Sequence, residues 1–189
     1  MPGNVDPVSN EREGLLAYLA QQRYVLRLSA FGLTDEQARQ APTVSTLSIG
    51  GLIKHVAHTE RYWMDLIAGQ HHAMDYDALF TLGPDETLVG TLAFYDQVAA
   101  ETTAAVDAIA DLGRAVPVPK DVPWFPPDVE AWSVRWVLLH LIQETARHAG
   151  HADIVRETVD GGTAFPIMAA AEGWPASPFF EPWEPVGNQ

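Results

Sequence analysis

The 189-residue chain carries 11 Lys and Arg against 25 Asp and Glu, a formal net charge of −14. That balance argues against nucleic acid or an anionic membrane as partner, because phosphate contacts need clustered basic side chains. Hydrophobic residues at 47% exclude a disordered chain, and the absence of cysteine excludes disulfides, thiolate ligands and a cysteine nucleophile.

The length fits one domain over 1–189. No run is long and apolar enough for a membrane span, and residues 1–10 lack a basic, apolar export pattern, so the cytoplasm is the expected location. A first helix is predicted over 10–31, with Leu15, Leu16, Leu19, Val25 and Leu26 on its apolar face. Thr34 followed by Gln37 is a capping-box pattern for a short helical turn. After a linker at 42–47, Ser48 caps a second helix over 48–68, which Gly69 closes, and 71–83 reads as an exposed loop. The third helix, 85–110, carries Leu88, Leu92, Tyr95, Ala99, Thr102, Val106 and Ile109 at helical spacing. In the long connection 111–132, Pro117, Pro119, Pro123, Pro126 and Pro127 exclude a helix. Ser133 caps the fourth helix, 133–159, and Gly161 and Gly162 end it.

No segment alternates with period two for long, so no sheet of consequence is expected. The prediction is an all-α four-helix bundle whose long third connection permits a crossover. The Pro- and Trp-rich tail, 163–189, is expected to be irregular and to cover apolar surface at a bundle end or between subunits, with a lid as the functional alternative. A homodimer is compatible with that reading.

The inward stripe of the fourth helix is Val134, Val137, Leu141, Glu144, His148, His151 and Val155. Glu144 and His148 lie one turn apart on this apolar face, where an unpaired carboxylate is costly. On the second helix His58 shares a solvated stripe with Lys54, Arg61 and Asp65, whereas His55 shares an apolar one with Leu52, Val56, Thr59, Tyr62 and Leu66. His55, Glu144 and His148 therefore form a candidate metal set of two imidazoles and one carboxylate. Such a set accepts Zn²⁺ first, and also Ni²⁺, Mn²⁺ or Fe²⁺, and leaves positions open for water or substrate. The bland alternative is a hydrogen-bonded core histidine at His55, with Glu144 and His148 paired to each other or to Arg147 or Arg135.

His151 and His140 are candidate catalytic bases or alternative ligands, with His151 ranked ahead because it continues the inward stripe. Glu60 is either a partner of His55 or Arg147 or a peripheral ion pair. The His71–His72 pair reads as solvated. No G-x-S-x-G elbow or phosphate loop is present, which removes serine-hydrolase and nucleotide-binding readings.

The stretch L-I-K-H-V-A-H-T-E-R-Y-W (52–63) resembles the metal-site helix of the DinB-like superfamily. The stretch H-L-I-Q-E-T-A-R-H-A-G-H-A-D-I-V-R-E-T-V-D-G (140–161) is similar to its DUF664, or mini-circle-protein-like, branch. The resemblance implies a four-helix bundle holding a divalent metal, usually on three histidines. The related mycothiol-dependent maleylpyruvate isomerases use His, Glu and His in their N-terminal domain, and His55, Glu144 and His148 match that version. The implied chemistry is activation of a small thiol such as mycothiol or bacillithiol at the metal. The sequence stops soon after the fourth helix, without the isomerases' further domain, so S-transfer to a small electrophile is expected over isomerisation. A hydrolase using metal-activated water, or a non-catalytic metal-binding bundle, are the alternatives.

Overall fold

The computed structural model describes residues 3–185. In chain order the elements are α1 (Glu11–Leu28), α2 (Asp35–Arg39), α3 (Ile49–Ile67), α4 (Tyr76–Leu79), α5 (Leu88–Asp107), β1 (Ala115–Pro117), β2 (Ala131–Ser133), α6 (Val134–Asp160) and α7 (Ala164–Glu172). Asn10, Ser48, Thr87 and Ser133 each accept the backbone N–H three residues on, so every long helix starts with a satisfied donor. Thr34 and Gln37 close a reciprocal capping box on α2. α6 stops at Gly161, whose φ of 76° is left-handed and suits a residue without Cβ.

The long helices α1, α3, α5 and α6 form an all-α bundle. α1 packs chiefly on α6, and α3 packs on both α5 and α6. The first and second long helices therefore sit across a diagonal, as do the third and fourth. Both intervening connections, 29–48 and 108–133, cross an end of the bundle, so the topology is not simple up-down-up-down. The second crossing uses β1 and β2, which pair antiparallel from Ala115–Ser133 to Pro117–Ala131. This short ribbon is the one sheet among the described residues, and it pins the two ends of the proline-rich connection together.

Two apolar clusters fill the interior. One gathers Leu26, Leu52, Ile53, Val56, Tyr95, Ala152 and Val155, and the other gathers Leu19, Trp63, Leu66, Val106, Val137, Leu138 and Leu141. Each large side chain fully buried this way contributes roughly 1.5–3 kcal/mol. Polar residues lie between the clusters along every helix: Gln21 and Arg23 on α1, Glu60 on α3, Thr102 on α5, and Glu144, Thr145 and His148 on α6. A polar layer crosses the bundle at mid-height.

Four expectations change. The 71–83 segment is not simply exposed. It contains α4, and Phe80 and Leu82 pack on the α3 cluster. Gly50 and Gly51 allow this, since a Cβ on Gly51 would lie 2.0 Å from the Phe80 carbonyl oxygen and one on Gly50 2.6 Å from Leu82 Cδ2. The third long helix starts at Leu88, because Glu86 is used in the preceding turn, where Oε2 accepts from Gly83 N at 2.6 Å and Lys54 Nζ at 2.8 Å. The tail is not wholly irregular: it opens with α7, whose Ile167 and Met168 pack on Leu28. Buried Arg156 anchors this region, donating to the Ser29 and Phe31 carbonyls and to Asp160, each at 2.8 Å, with Trp183 over its guanidinium at 4.5 Å. Residues 186–189 of the tail, and 1–2 of the segment read for an export signal, lie outside the described residues. Finally, Glu60 is no peripheral pair. It is fully buried and accepts from Arg23 and Thr102.

Candidate metal centre

His55, Glu144 and His148 converge, two helices supplying three donors within 4.8 Å of one another. His148 Nε2 lies 3.1 Å and His55 Nε2 3.4 Å from the same oxygen, Glu144 Oε1. Ligands at about 2.0–2.2 Å around one divalent first-row ion stand about 3.0–3.5 Å apart, and the two His–Glu144 spacings match that separation. Among the described residues no other three His, Asp or Glu side chains come so close.

The electrostatics suit a cation as well. Glu144 is held well below the usual carboxylate range, first by the hydrogen bond from His148 and then by that from His55. Burial lowers the pKa of His55, favouring the neutral ring that a cation requires. Stacking sets the orientation of His55, whose ring lies on Phe80 at 3.8 Å and 18°. Its Nδ1 is buried without a hydrogen-bond partner among the described residues. The ring of His148 is held differently, its Nδ1 lying 3.4 Å from Nδ1 of His151. His151 thus touches a ligand candidate through that ligand's far nitrogen, which is the place of an orienting partner.

A cavity of about 250 Å³ opens onto His55 and Glu144. Its other walls are Thr59, Tyr62, Trp63, Met74, Trp124, Phe125 and His140. His140 lies outside the converging donors. Its ring stacks on Trp136 at 5.1 Å and meets Trp63 edge-on at 4.9 Å, and burial lowers its pKa. His58 is half-buried against Phe94 in a separate groove with Lys54 and Glu86. The His71–His72 pair is not merely solvated. His71 bridges Tyr62 and Asp121 beside a second hollow of about 280 Å³ that shares Tyr62, Met74 and Trp124 with the first.

Sequence periodicity found the three converging residues and missed the chamber around them. Phe80, Trp124 and Phe125 come from connections, where no periodic signal exists. The Gly50–Gly51 pair was the available hint of a close-packed neighbour.

The fold and this arrangement define the DinB-like class of helical bundle. A family model described as mycothiol-S-transferase matches residues 14–161, and the chain belongs to that family. No curated protein matches the sequence. Among solved structures, a conserved protein from Enterococcus faecalis is 14% identical over 80% of this chain and 98% of its own, with a TM-score of 0.61. At that identity the likeness speaks for the fold alone.

Proposed function

We propose that the protein is a metal-dependent thiol S-transferase that joins a low-molecular-weight thiol such as mycothiol to a small electrophile. His55, Glu144 and His148 would hold the divalent cation, with zinc the first candidate. The observation that carries this reading is the convergence of two imidazole Nε2 atoms on one carboxylate oxygen beside a cavity, in a chain of the mycothiol-S-transferase family. A cation bound there would lower the pKa of a coordinating thiol, giving a nucleophile near neutral pH.

The residues divide the remaining work. Glu144 brings one negative charge, and the two histidines bring none. Three protein donors leave room for a further ligand, as catalytic sites require and closed structural sites do not. Phe80 fixes the plane of the His55 ring, and His151 fixes that of His148. Trp63, Trp124 and Phe125 give the electrophile an apolar surface and keep bulk water off the attacking sulfur. Among the described residues lining the cavity none is Lys or Arg, which favours an uncharged electrophile over an anionic one.

The test uses cobalt-substituted protein. Adding mycothiol should raise a strong near-ultraviolet sulfur-to-cobalt band, and Glu144→Ala should remove it together with conjugation of a generic electrophile. If the spectrum stays unchanged with the site fully loaded, the transferase reading falls and the hydrolase alternative, using activated water, moves ahead.

A further inference from the structure

We propose that His140 is a catalytic residue of this site, donating its ring N–H to an oxygen of the electrophile, and that the electrophile is an α,β-unsaturated carbonyl compound. The inference rests on the transferase reading and adds a residue and a substrate class to it.

His140 precedes Glu144 by one turn on the same face of α6. It lines the metal-side cavity together with His55 and Glu144, so a ligand held there reaches all three. Two indoles fix its ring. Trp136 stacks on it at 5.1 Å and 9°, and Trp63 crosses it at 4.9 Å and 67°. Trp132 extends the stack behind Trp136 at 4.5 Å and 6°. These contacts hold the imidazole by its π surface and spend neither nitrogen. Neither has a hydrogen-bond partner among the described residues, and neither is sealed in the core as Nδ1 of His55 is. A polar ring held in place with its nitrogens unspent costs no reorganisation when a ligand arrives.

The other polar groups of the wall are otherwise disposed. His55 and Glu144 face the cation, Thr59 Oγ1 is buried, and the Tyr62 hydroxyl lies 3.1 Å from His71 Nδ1. The remaining wall is Trp63, Met74, Trp124 and Phe125. Burial lowers the pKa of His140 and favours the neutral ring, which carries one N–H. Against so apolar a wall that N–H needs an acceptor, which a carbonyl oxygen supplies and an alkyl halide does not. In the proposed step the thiolate sulfur forms a bond to the β-carbon. The C=C pair shifts toward the carbonyl carbon and the C=O pair moves onto oxygen, where the His140 N–H stabilises the enolate. The α-carbon then takes a proton from water, which replaces the one the thiol released. The sum is thiol plus electrophile giving adduct, and His140 keeps its proton throughout.

The experiment compares mycothiol conjugation of an enone and of an alkyl bromide by the metal-loaded protein. Bromide displacement builds no charge on oxygen, so the enone-to-bromide rate ratio isolates the donor. His140→Phe keeps a ring for Trp136 to stack on and should lower that ratio about 100-fold, the cost of one lost oxyanion donor. His140→Gln, whose amide N–H can donate, should recover part of the loss. An unmoved ratio in His140→Phe would overturn the inference while leaving the transferase reading in place. Loss of stoichiometric metal from His140→Phe would also overturn it, by making His140 a ligand. Inactivity of the wild type toward both electrophiles would remove the reading and the inference together. A second readout needs no turnover. A saturated ketone bound to the wild-type, metal-loaded protein should show its carbonyl stretch at lower frequency than in alkane solvent, and His140→Phe should abolish the shift. A wild-type complex without the shift, or a shift that survives the substitution, would break the proposed hydrogen bond.

Discussion

Arg23 and Glu60 meet across the diagonal of the bundle, the guanidinium Nε and Nη2 lying 3.0 and 2.5 Å from the two carboxylate oxygens. Thr102 donates to the same carboxylate at 2.6 Å. This contact joins α1 and α3 across the bundle. A buried ion pair adds little over a well-packed apolar pair, yet removing one partner strands the other charge. Glu60→Ala should therefore lower the unfolding free energy by about 3–5 kcal/mol in a denaturant titration. The metal content of the protein that remains folded should stay at the wild-type level, since Glu60 serves the bundle and not the metal donors. A fall in metal affinity without a fall in stability would reverse that assignment.

Metal binding separates the candidate ligands from their neighbours. His148→Ala should abolish stoichiometric metal in elemental analysis, whereas His58→Ala should retain it, because His58 packs on Phe94 in another groove. His151→Ala should weaken affinity about 10–100-fold without abolishing it, as expected for the partner of a ligand's second nitrogen. Unchanged metal in the His148 variant would dismiss the site.

The close approach at Gly51 offers a test remote from the donors. An added methyl would overlap the Phe80 backbone carbonyl, so the 70–87 segment must move outward and carry Phe80 away from the His55 ring. Gly51→Ala should cost about 1–3 kcal/mol or more, the range of overpacked cores. It should also loosen metal binding through the freed imidazole. If metal affinity survives such a loss of stability, the Phe80 stack has no part in orienting His55.

The pH dependence follows from the direction of each shift. Burial holds His55, His58 and His140 below the ordinary value of 6.5, so the unfolded chain takes up protons that the folded one refuses. Their effect is absent above about pH 6.5, and stability declines as pH falls from there through their folded values. Glu144 is depressed from 4.5 by the bonds from His148 and His55, so its contribution is present above that pH and is lost as pH falls through its folded value. Protons also compete with the cation for His55 and His148. Melting temperatures of metal-loaded protein should thus fall more steeply below pH 6.5 than those of metal-free protein. Parallel profiles for the two forms would contradict ligation by histidine.

Much of the candidate centre was legible from spacing because its three converging side chains sit on two regular helices. In α6 the interval of four places Glu144 and His148 on one face, and the neighbouring apolar residues identify that face as inward. The same reasoning separated His55 from His58 on α3. It failed for Glu60, because periodicity places a residue on a face and does not say which opposing side chain awaits it. Arg23 is 37 residues away, on a helix whose diagonal position depends on the crossing of the connections. It failed also for His71, which reads as part of a polar loop until Tyr62 and Asp121 are brought to its two nitrogens.

The sequence by itself determined the four long helices, the caps at Ser48 and Ser133, the inward stripes and the three converging side chains, since each follows from residue identity and a local repeat. Tertiary structure alone decided the diagonal arrangement of α1 and α3, the seating of Phe80 on His55, and the chamber walled by Trp124 and Phe125. Those features depend on contacts between segments distant in sequence, made by irregular connections. Close packing, and not any repeat along the chain, selects their conformation.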